Sequence, residues 1–533
     1  MGTKQYDSAT DLLTFSRASG GTALSKISYG NELATNGADP ITATTSWVAR
    51  ANGTLSTSGG DLIITTPAAG VSRVYQGIPV TIGSVYTISW GITLSGSGRT
   101  VTLGTSVGGN QILSSTSLSA SHTFVATTTT VYFEIGCATA SINETYSLSL
   151  ASVKEVLFDQ ADGTLQVFNH GNNKPRIEYD ATGAVKGLLI EEARTNLVRT
   201  SGDISGGNFS VFVKYNTQSV ASGVTVPDGS TDAHLLYPSS SGVARFIYTA
   251  AQTLTAGATQ TSSIYMKASG VTTGLFYSSA GGGLSTSGLA WFDLSAGTVG
   301  TVVSGYTAAI EDVGNGWYRC SVSGVTLNGG YLIVGVADAD NSTAVTKSGT
   351  DGILVWGAQA ETGAFPTSYI PTTGAAATRA RDLAQIPTSV FGYNNDKGSL
   401  VIDVLTPAVD QFMALAIFNT GSYANSRGFF KSSLGLSLAG PYYMTFSYDG
   451  TTTALELGQQ TQAVYAKLGL SYGDNEVGVK DGGTVLSGTS RYPNPVRLFL
   501  GGRDNGTQSQ CWIKSIQYYP RRLTDTQLQE LTT

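Results

Sequence analysis

Charge is what this sequence has least of. Only 12% of its 533 residues are Asp, Glu, Lys or Arg. The 30 basic residues are outnumbered by 36 acidic ones, leaving a net charge of −6. A protein that neutralises phosphates needs a basic face, so nucleic acid is excluded as a partner. An anionic membrane surface is excluded for the same reason. Cysteine is nearly missing. Cys137, Cys320 and Cys511 are odd in number and far apart, so no disulfide framework can be read; buried free thiols are expected. His122, His170 and His234 stand away from any Cys, second His or acid at metal-ligand spacing, and surface or turn positions are expected for them. No apolar run approaches the ~18 residues of a membrane-spanning helix. Met1–Asp7 carries no apolar signal segment.

What is abundant is glycine, 66 residues, with Ser, Thr and small apolar side chains. A hydrophobic share of 41% is enough to build cores, so disorder is not expected. Short alternating runs recur, such as Asp61–Thr66, Val85–Ile92 and Thr130–Ile135, separated by Gly-Gly, Asn-Gly and Ser-Gly pairs. The fold class expected is all-β and multi-domain, with very little helix: two jelly-roll β-sandwiches and, as the resemblance of residues 497–531 implies, a C-terminal concanavalin A-like sandwich. Gly70–Arg73 matches Gly242–Arg245, and Thr81–Ser89 matches Thr255–Ser263, which suggests that residues 201–363 repeat residues 31–156. The chain divides on this reading into a leader (1–30), a first jelly roll (31–156), a seam (157–200), a second jelly roll (201–363), a proline-bearing linker (364–390) and a final module (391–533). Thr524 with Gln527 reads as a capping box, and Leu523 with Leu528 as a hydrophobic staple, for a short closing helix from about Asp525.

The seam centres on Lys186–Leu197. There Glu191, Glu192 and Arg194 follow the apolar run Leu188–Ile190. Charges directly behind a buried strand usually pair, so these three are read as structural, with Arg194 or Lys186 as the partner of the acids.

Arg176–Asp180 followed by Lys186–Leu197 resembles a motif of bacteriophage virion proteins, chiefly fibre and spike proteins of tails or heads and their prophage and gene-transfer-agent relatives. Phe15–Ser19, and Gly352–Gln359 followed by Phe365–Thr372, fit the same family. In that family the leader runs on quickly into a strand like Gly163–Phe168, so residues 31–156 read as a domain inserted into a loop, as exposed loops tolerate. Residues 497–531 resemble the end of a laminin-G-type sandwich, and both jelly rolls resemble carbohydrate-binding modules in strand rhythm. The resemblance implies a virion surface protein, made in the bacterial cytoplasm and released by lysis. It would be a homo-oligomer, a trimer as fibres usually are, seated among other virion proteins and attaching the particle to host surface polysaccharide. A structural decoration protein and a glycan-degrading tailspike are the alternatives.

No catalytic constellation is legible. Adjacent Glu191 and Glu192 on a strand would face opposite sides, unlike the paired carboxylates of glycosidases, and no Gly-x-Ser-x-Gly elbow occurs. The expectation is no enzyme, no metal centre and no cofactor; calcium at Asp338–Asn341 or Asp504–Gly506 is the one ion kept open. Sugar faces stack on aromatic rings, so the saccharide-binding candidates are Trp47, Tyr75, Trp317, Tyr442 and Tyr443, with Trp90 and Trp291 behind them.

Overall fold

The computed structural model describes residues 13–533 apart from 38–39, 52, 67–69, 94–98, 118, 141–144, 203–211, 216, 241–244, 250–256, 280–288, 326–330, 347–348, 408–412, 420–424, 435–438, 461–463 and 503–509. It is all-β, built of antiparallel sheets. Among the described residues the helices are the single turn Thr388–Phe391 and the closing helix Asp525–Thr532. Period-two alternation drives the strands. In Gly70–Pro79, Ser72, Val74, Gln76 and Ile78 are buried, while Val71, Arg73, Tyr75 and Gly77 turn to the other face. The capping box of the closing helix forms between Thr524 and Gln527, and Leu523 and Leu528 are both buried. All three cysteines are buried thiols outside any disulfide.

The chain forms two compact units: Lys26–Thr164, and Met1–Ser25 with Leu165–Thr533. The first unit contains two sheets. One runs Val48–Ala51, Gly70–Pro79, Thr130–Ala140, Arg99–Gly104, Leu113–Ser115; the other runs Ser119–Val125, Val85–Thr93, Thr145–Phe158, Asp61–Thr65, Thr54–Ser58. Trp47, Val74, Trp90, Leu103, Phe133 and Leu148 fill the space between them.

The second unit holds a sandwich of the same design. One sheet runs Phe212–Tyr215, Arg245–Thr249, Tyr331–Ala337, Thr273–Ser279, Leu289–Asp293; its partner runs Tyr318–Val325, Thr259–Ser269, Gly352–Thr362, His234–Pro238, Thr217–Ala221. Taken in chain order, these ten strands occupy the same places in the two sheets as the ten of the first unit. The added strands Thr298–Val302 and Tyr306–Asp312 extend one sheet each. Of the paired phrases noted in the sequence, 242–244 and 255–256 lie outside the described residues.

The third sandwich corrects the expected boundaries. Its two seven-stranded sheets take Thr14–Ser16 from the leader, Arg176–Tyr179 and Val185–Ile190 from the seam, and Leu383–Pro387 from the expected linker. Residues 364–390 are therefore no spacer: Phe365, Thr367, Tyr369, Ile370, Arg379, Asp382 and Ala384 are buried. Val185–Ile190 pairs with Cys511–Tyr519, and Leu383–Pro387 with Arg497–Leu500. Residues 391–533 expressed alone would leave both inner strands as bare apolar edges. That fragment is expected to aggregate or show no cooperative melt, whereas residues 26–164 alone are expected to melt cooperatively. Circular dichroism with size-exclusion chromatography checks both; a soluble, cooperative 391–533 contradicts the shared-sheet account.

Candidate functional site

The sequence phrases that carry the family resemblance converge on one buried charge cluster. Arg17, Arg176, Glu191, Arg379 and Asp382 are each 0–1% exposed. Asp382 accepts from Arg17 Nη1 at 3.0 Å, from Arg176 Nη2 at 2.5 Å and from the Glu191 backbone N–H at 2.9 Å. Glu191 lies 2.9 Å from Arg176 and 3.5 Å from Arg379, and accepts from the Ser368 N–H and hydroxyl, both at 2.7 Å. Glu361 accepts from Thr367 twice, at 2.8 and 2.6 Å, tying Gly352–Thr362 to the Phe365–Thr372 segment. Glu192 pairs with Arg194, whose guanidinium stacks over Phe365. Lys186 pairs elsewhere, with Glu178 and Glu311. Five chain segments are thus fastened at one point. The cluster is closed to solvent and presents no face to a ligand.

His170 and Glu191 make this cluster acid-sensitive. Burial first, then Arg176 and Arg17, push the His170 pKa down to about 3. Burial alone would raise the Glu191 carboxyl, but Arg379, Arg176 and Ser368 outweigh it and bring it to about 2. Both groups bind more protons when unfolded. Their stability contributions are therefore lost as pH falls from the ordinary value of 6.5 toward 3 for His170, and from 4.5 toward 2 for Glu191. At ~1.4 kcal/mol per pKa unit, the two effects together amount to several kcal/mol. The melting temperature is expected to fall between pH 6.5 and pH 4.5, and to fall less in His170→Gln. Equal slopes in the two proteins would contradict this. His234 is also buried rather than at the surface, and His122 lies within the strand Ser119–Val125. Among the described residues no group of three His, Cys, Asp or Glu could hold a metal ion. Asp338 and Asp340 are hydrogen-bonded to Thr346 and Thr301; Asp504–Gly506 lies outside the described residues.

Most of the aromatic candidates pack inside. Trp47 sits edge-on to Phe133 at 6.2 Å, and its indole N–H donates to the Asn36 carbonyl. Trp317 donates likewise to Thr225. Tyr442 and Tyr443 are core residues, and burial pushes the Tyr443 hydroxyl up to about 12. Trp90 and Trp291 are buried too. These rings cannot offer a face to a sugar. Tyr442 and Tyr443 lie within the strand Ala439–Tyr448.

Tyr75 is different. It lies half-buried on the outward face of the five-stranded sheet of residues 26–164. Alternation places Arg73 and Tyr75 on that face opposite core Val74, and Tyr132 and Glu134 opposite core Val131, Phe133 and Ile135. Tyr75 pairs in register with Glu134, and Gly77 with Tyr132, so the two tyrosines are diagonal neighbours. Their rings lie 6.1 Å apart, tilted by 58°. Gly77 leaves room for this: a Cβ there would come within 3.2 Å of Tyr132 Cε1.

Beside the rings, Glu134 accepts from Arg50 Nη1 at 3.1 and 3.0 Å and from Arg73 Nη1 at 2.7 Å. The Glu134 side chain is 2% exposed, those of Arg50 and Arg73 42% and 28%. The carboxylate is covered, and the guanidiniums stand over it. The Thr102 hydroxyl, across from Glu134 in register, is buried with no hydrogen-bond partner. The loop after Arg99–Gly104 closes over this end; a Cβ on Gly104 would strike the Gly109 carbonyl carbon at 2.4 Å. The result is a face with two half-buried tyrosine rings and fixed N–H donors, a combination that matches the mixed apolar and hydroxylated faces of a sugar.

The fold does not demand these residues. In the second jelly roll, Tyr331–Ala337 and Thr273–Ser279 take the places of Thr130–Ala140 and Arg99–Gly104. There Leu275, Leu289, Trp291, Ile333 and Ala337 form a buried apolar cluster. Sequence reasoning named Tyr75 as a candidate but not its neighbours Arg50, Arg73, Thr102, Tyr132 and Glu134. The alternation around them could have grouped each pair by face; the cross-strand register could not be read.

No protein-family model matches this chain, and no curated protein matches it. Among solved structures, it is similar to the N-terminal tandem CBM22-1–CBM22-2 domain of Paenibacillus barcinonensis Xyn10C, with 13% identity over 63% of this chain and 98% of that one, at a TM-score of 0.21. It is also similar to the Trypanosoma rangeli sialidase in complex with sialic acid, with 10% identity over 97% of each chain and a TM-score of 0.23. The same sialidase in complex with the inhibitor DANA matches at 11% identity over 90% of this chain and 83% of that one, with a TM-score of 0.22. Enzymes thus stand among the structural neighbours, and the expectation of a chain without enzymatic activity is withdrawn. At these TM-scores the likeness carries no argument for sialidase activity either.

Proposed function

We propose that this chain is a phage-type virion fibre or spike protein that attaches the particle to the host by binding a cell-surface saccharide. The observation that carries the reading is the outward sheet face of residues 26–164, where Tyr75 and Tyr132 lie beside Arg50, Arg73 and Thr102. The virion assignment is supported by the sequence resemblance, whose phrases meet in the buried Arg17–Arg176–Glu191–Asp382 cluster. In this reading the protein sits on the virion surface, contacts other virion proteins and acts as a homo-oligomer, a trimer.

Such a face binds weakly, since each hydrogen bond to a sugar replaces one to water and nets only ~1 kcal/mol. Several copies on one particle raise avidity by ~10²–10⁴-fold without new contacts. Particle attachment is therefore expected to exceed binding of the isolated protein by a wide margin. Stripping surface polysaccharide from host cells is expected to abolish attachment. Attachment that survives complete removal of surface glycans overturns the proposal.

A further inference from the structure

We infer that the saccharide taken by the sheet face of residues 26–164 is acidic, its carboxylate docking on the Arg50 and Arg73 guanidiniums. This rests on the proposal that the face binds saccharide, and it names the class of sugar.

The charge inventory of the face points this way. Two guanidiniums share one carboxylate, which leaves one net positive charge. Glu134 is spent: its two oxygens accept three N–H bonds and its side chain is 2% exposed. An arriving ligand meets donors and positive charge, with the acid hidden beneath. Arg50 engages Glu134 through Nη1 alone and Arg73 likewise, so each fork keeps its Nη2 pair of N–H donors for a second partner. A carboxylate matches that fork bidentately, which a neutral hydroxyl does not. Glu134 also holds both forks in place before the ligand arrives, so little side-chain entropy remains to be lost on binding. The two tyrosines beside them supply the surface for the sugar ring.

The second jelly roll argues that this charge is not architectural. The corresponding strand pair there turns Leu275, Ile333 and Ala337 away from the sandwich core into a buried apolar cluster. A fold that closes over an apolar face has no need of a half-exposed Arg-Glu-Arg group.

The test uses the full-length protein on a printed panel of acidic and neutral bacterial surface polysaccharides. Each acidic member is printed twice, intact and with its carboxyl groups chemically reduced to primary alcohols. The expected result is binding to at least one acidic polysaccharide and a loss of about tenfold or more on its carboxyl-reduced form, as for a lost charge-assisted contact. Binding should also weaken as NaCl rises from about 0.05 to about 0.5 M, because the contact is exposed. Arg50→Gln leaves Arg73 on Glu134 and should reproduce the loss on the intact polysaccharide, while Arg50→Lys should recover part of it. Equal binding to intact and reduced forms overturns the acidic assignment and leaves saccharide binding standing. Binding to no member of the panel overturns the saccharide proposal itself.

Discussion

Asp382→Asn is expected to destabilise the unit formed by residues 13–25 and 165–533 by ~3–5 kcal/mol, the cost of removing one partner from a buried ion pair. Asp382 is the carboxylate on which Arg17 and Arg176 both close, and it also takes the Glu191 N–H. Asparagine keeps the shape. It removes the charge that pairs with Arg17 and leaves Arg176 and Arg379 with Glu191 alone, all three arginines being 0–1% exposed. The amide also turns an N–H toward groups that are themselves donors. For a unit of this size the melting temperature should drop by about 4–6 °C. Arg522→Gln, which removes the exposed Arg522–Asp525 pair, is the control and should cost less than ~1 kcal/mol. Differential scanning calorimetry reads both. A shift for Asp382→Asn no larger than for Arg522→Gln would mean that the cluster is not what fastens the five segments.

The second large effect concerns binding. Tyr75→Ala with Tyr132→Ala is expected to reduce saccharide binding to below detection in the isolated protein. Aromatic contact residues at the centre of a site are commonly worth ~2 kcal/mol each, about thirtyfold in affinity. Because both rings are half-buried on a sheet face and the core beneath them is complete, the melting temperature should stay nearly unchanged. Trp47→Phe provides the converse. It perturbs the core beside Phe133 and loses the indole bond to Asn36, so it should lower stability and leave binding intact. Binding unchanged in the double tyrosine variant, or lost in Trp47→Phe at a temperature where the protein is folded, contradicts the placement of the site.

Much of the architecture was legible because strand alternation and glycine-rich turns are local signals. The closing helix was legible for the same reason: its cap spans Thr524–Gln527. The boundaries were less so. A strand such as Leu383–Pro387 carries no mark of which sheet it joins, and its prolines suggested a spacer. Proline at Pro387 is tolerated because it ends the strand. Of the seam acids, Glu192 pairs with its sequence neighbour Arg194, as expected from the run of charges, but Glu191 does not. The partners of Glu191 are Arg176 and Arg379, which lie far from it along the chain. The aromatic candidates failed for a single reason. A buried ring and an exposed one look alike in sequence until the surrounding chain is known, and Trp47, Trp317, Tyr442 and Tyr443 are all buried. Glu134 escaped notice because its two arginines come from different strands of the sheet.

Hydrogen exchange on the full-length protein, with and without saturating oligosaccharides released from host surface polysaccharide, tests the central claim most directly. The account predicts slowed exchange in the strands Gly70–Pro79 and Thr130–Ala140 and in the loop 105–111 that closes over Arg50. Unchanged exchange at all three places, with protection confined to residues 391–533 or absent throughout, would contradict it.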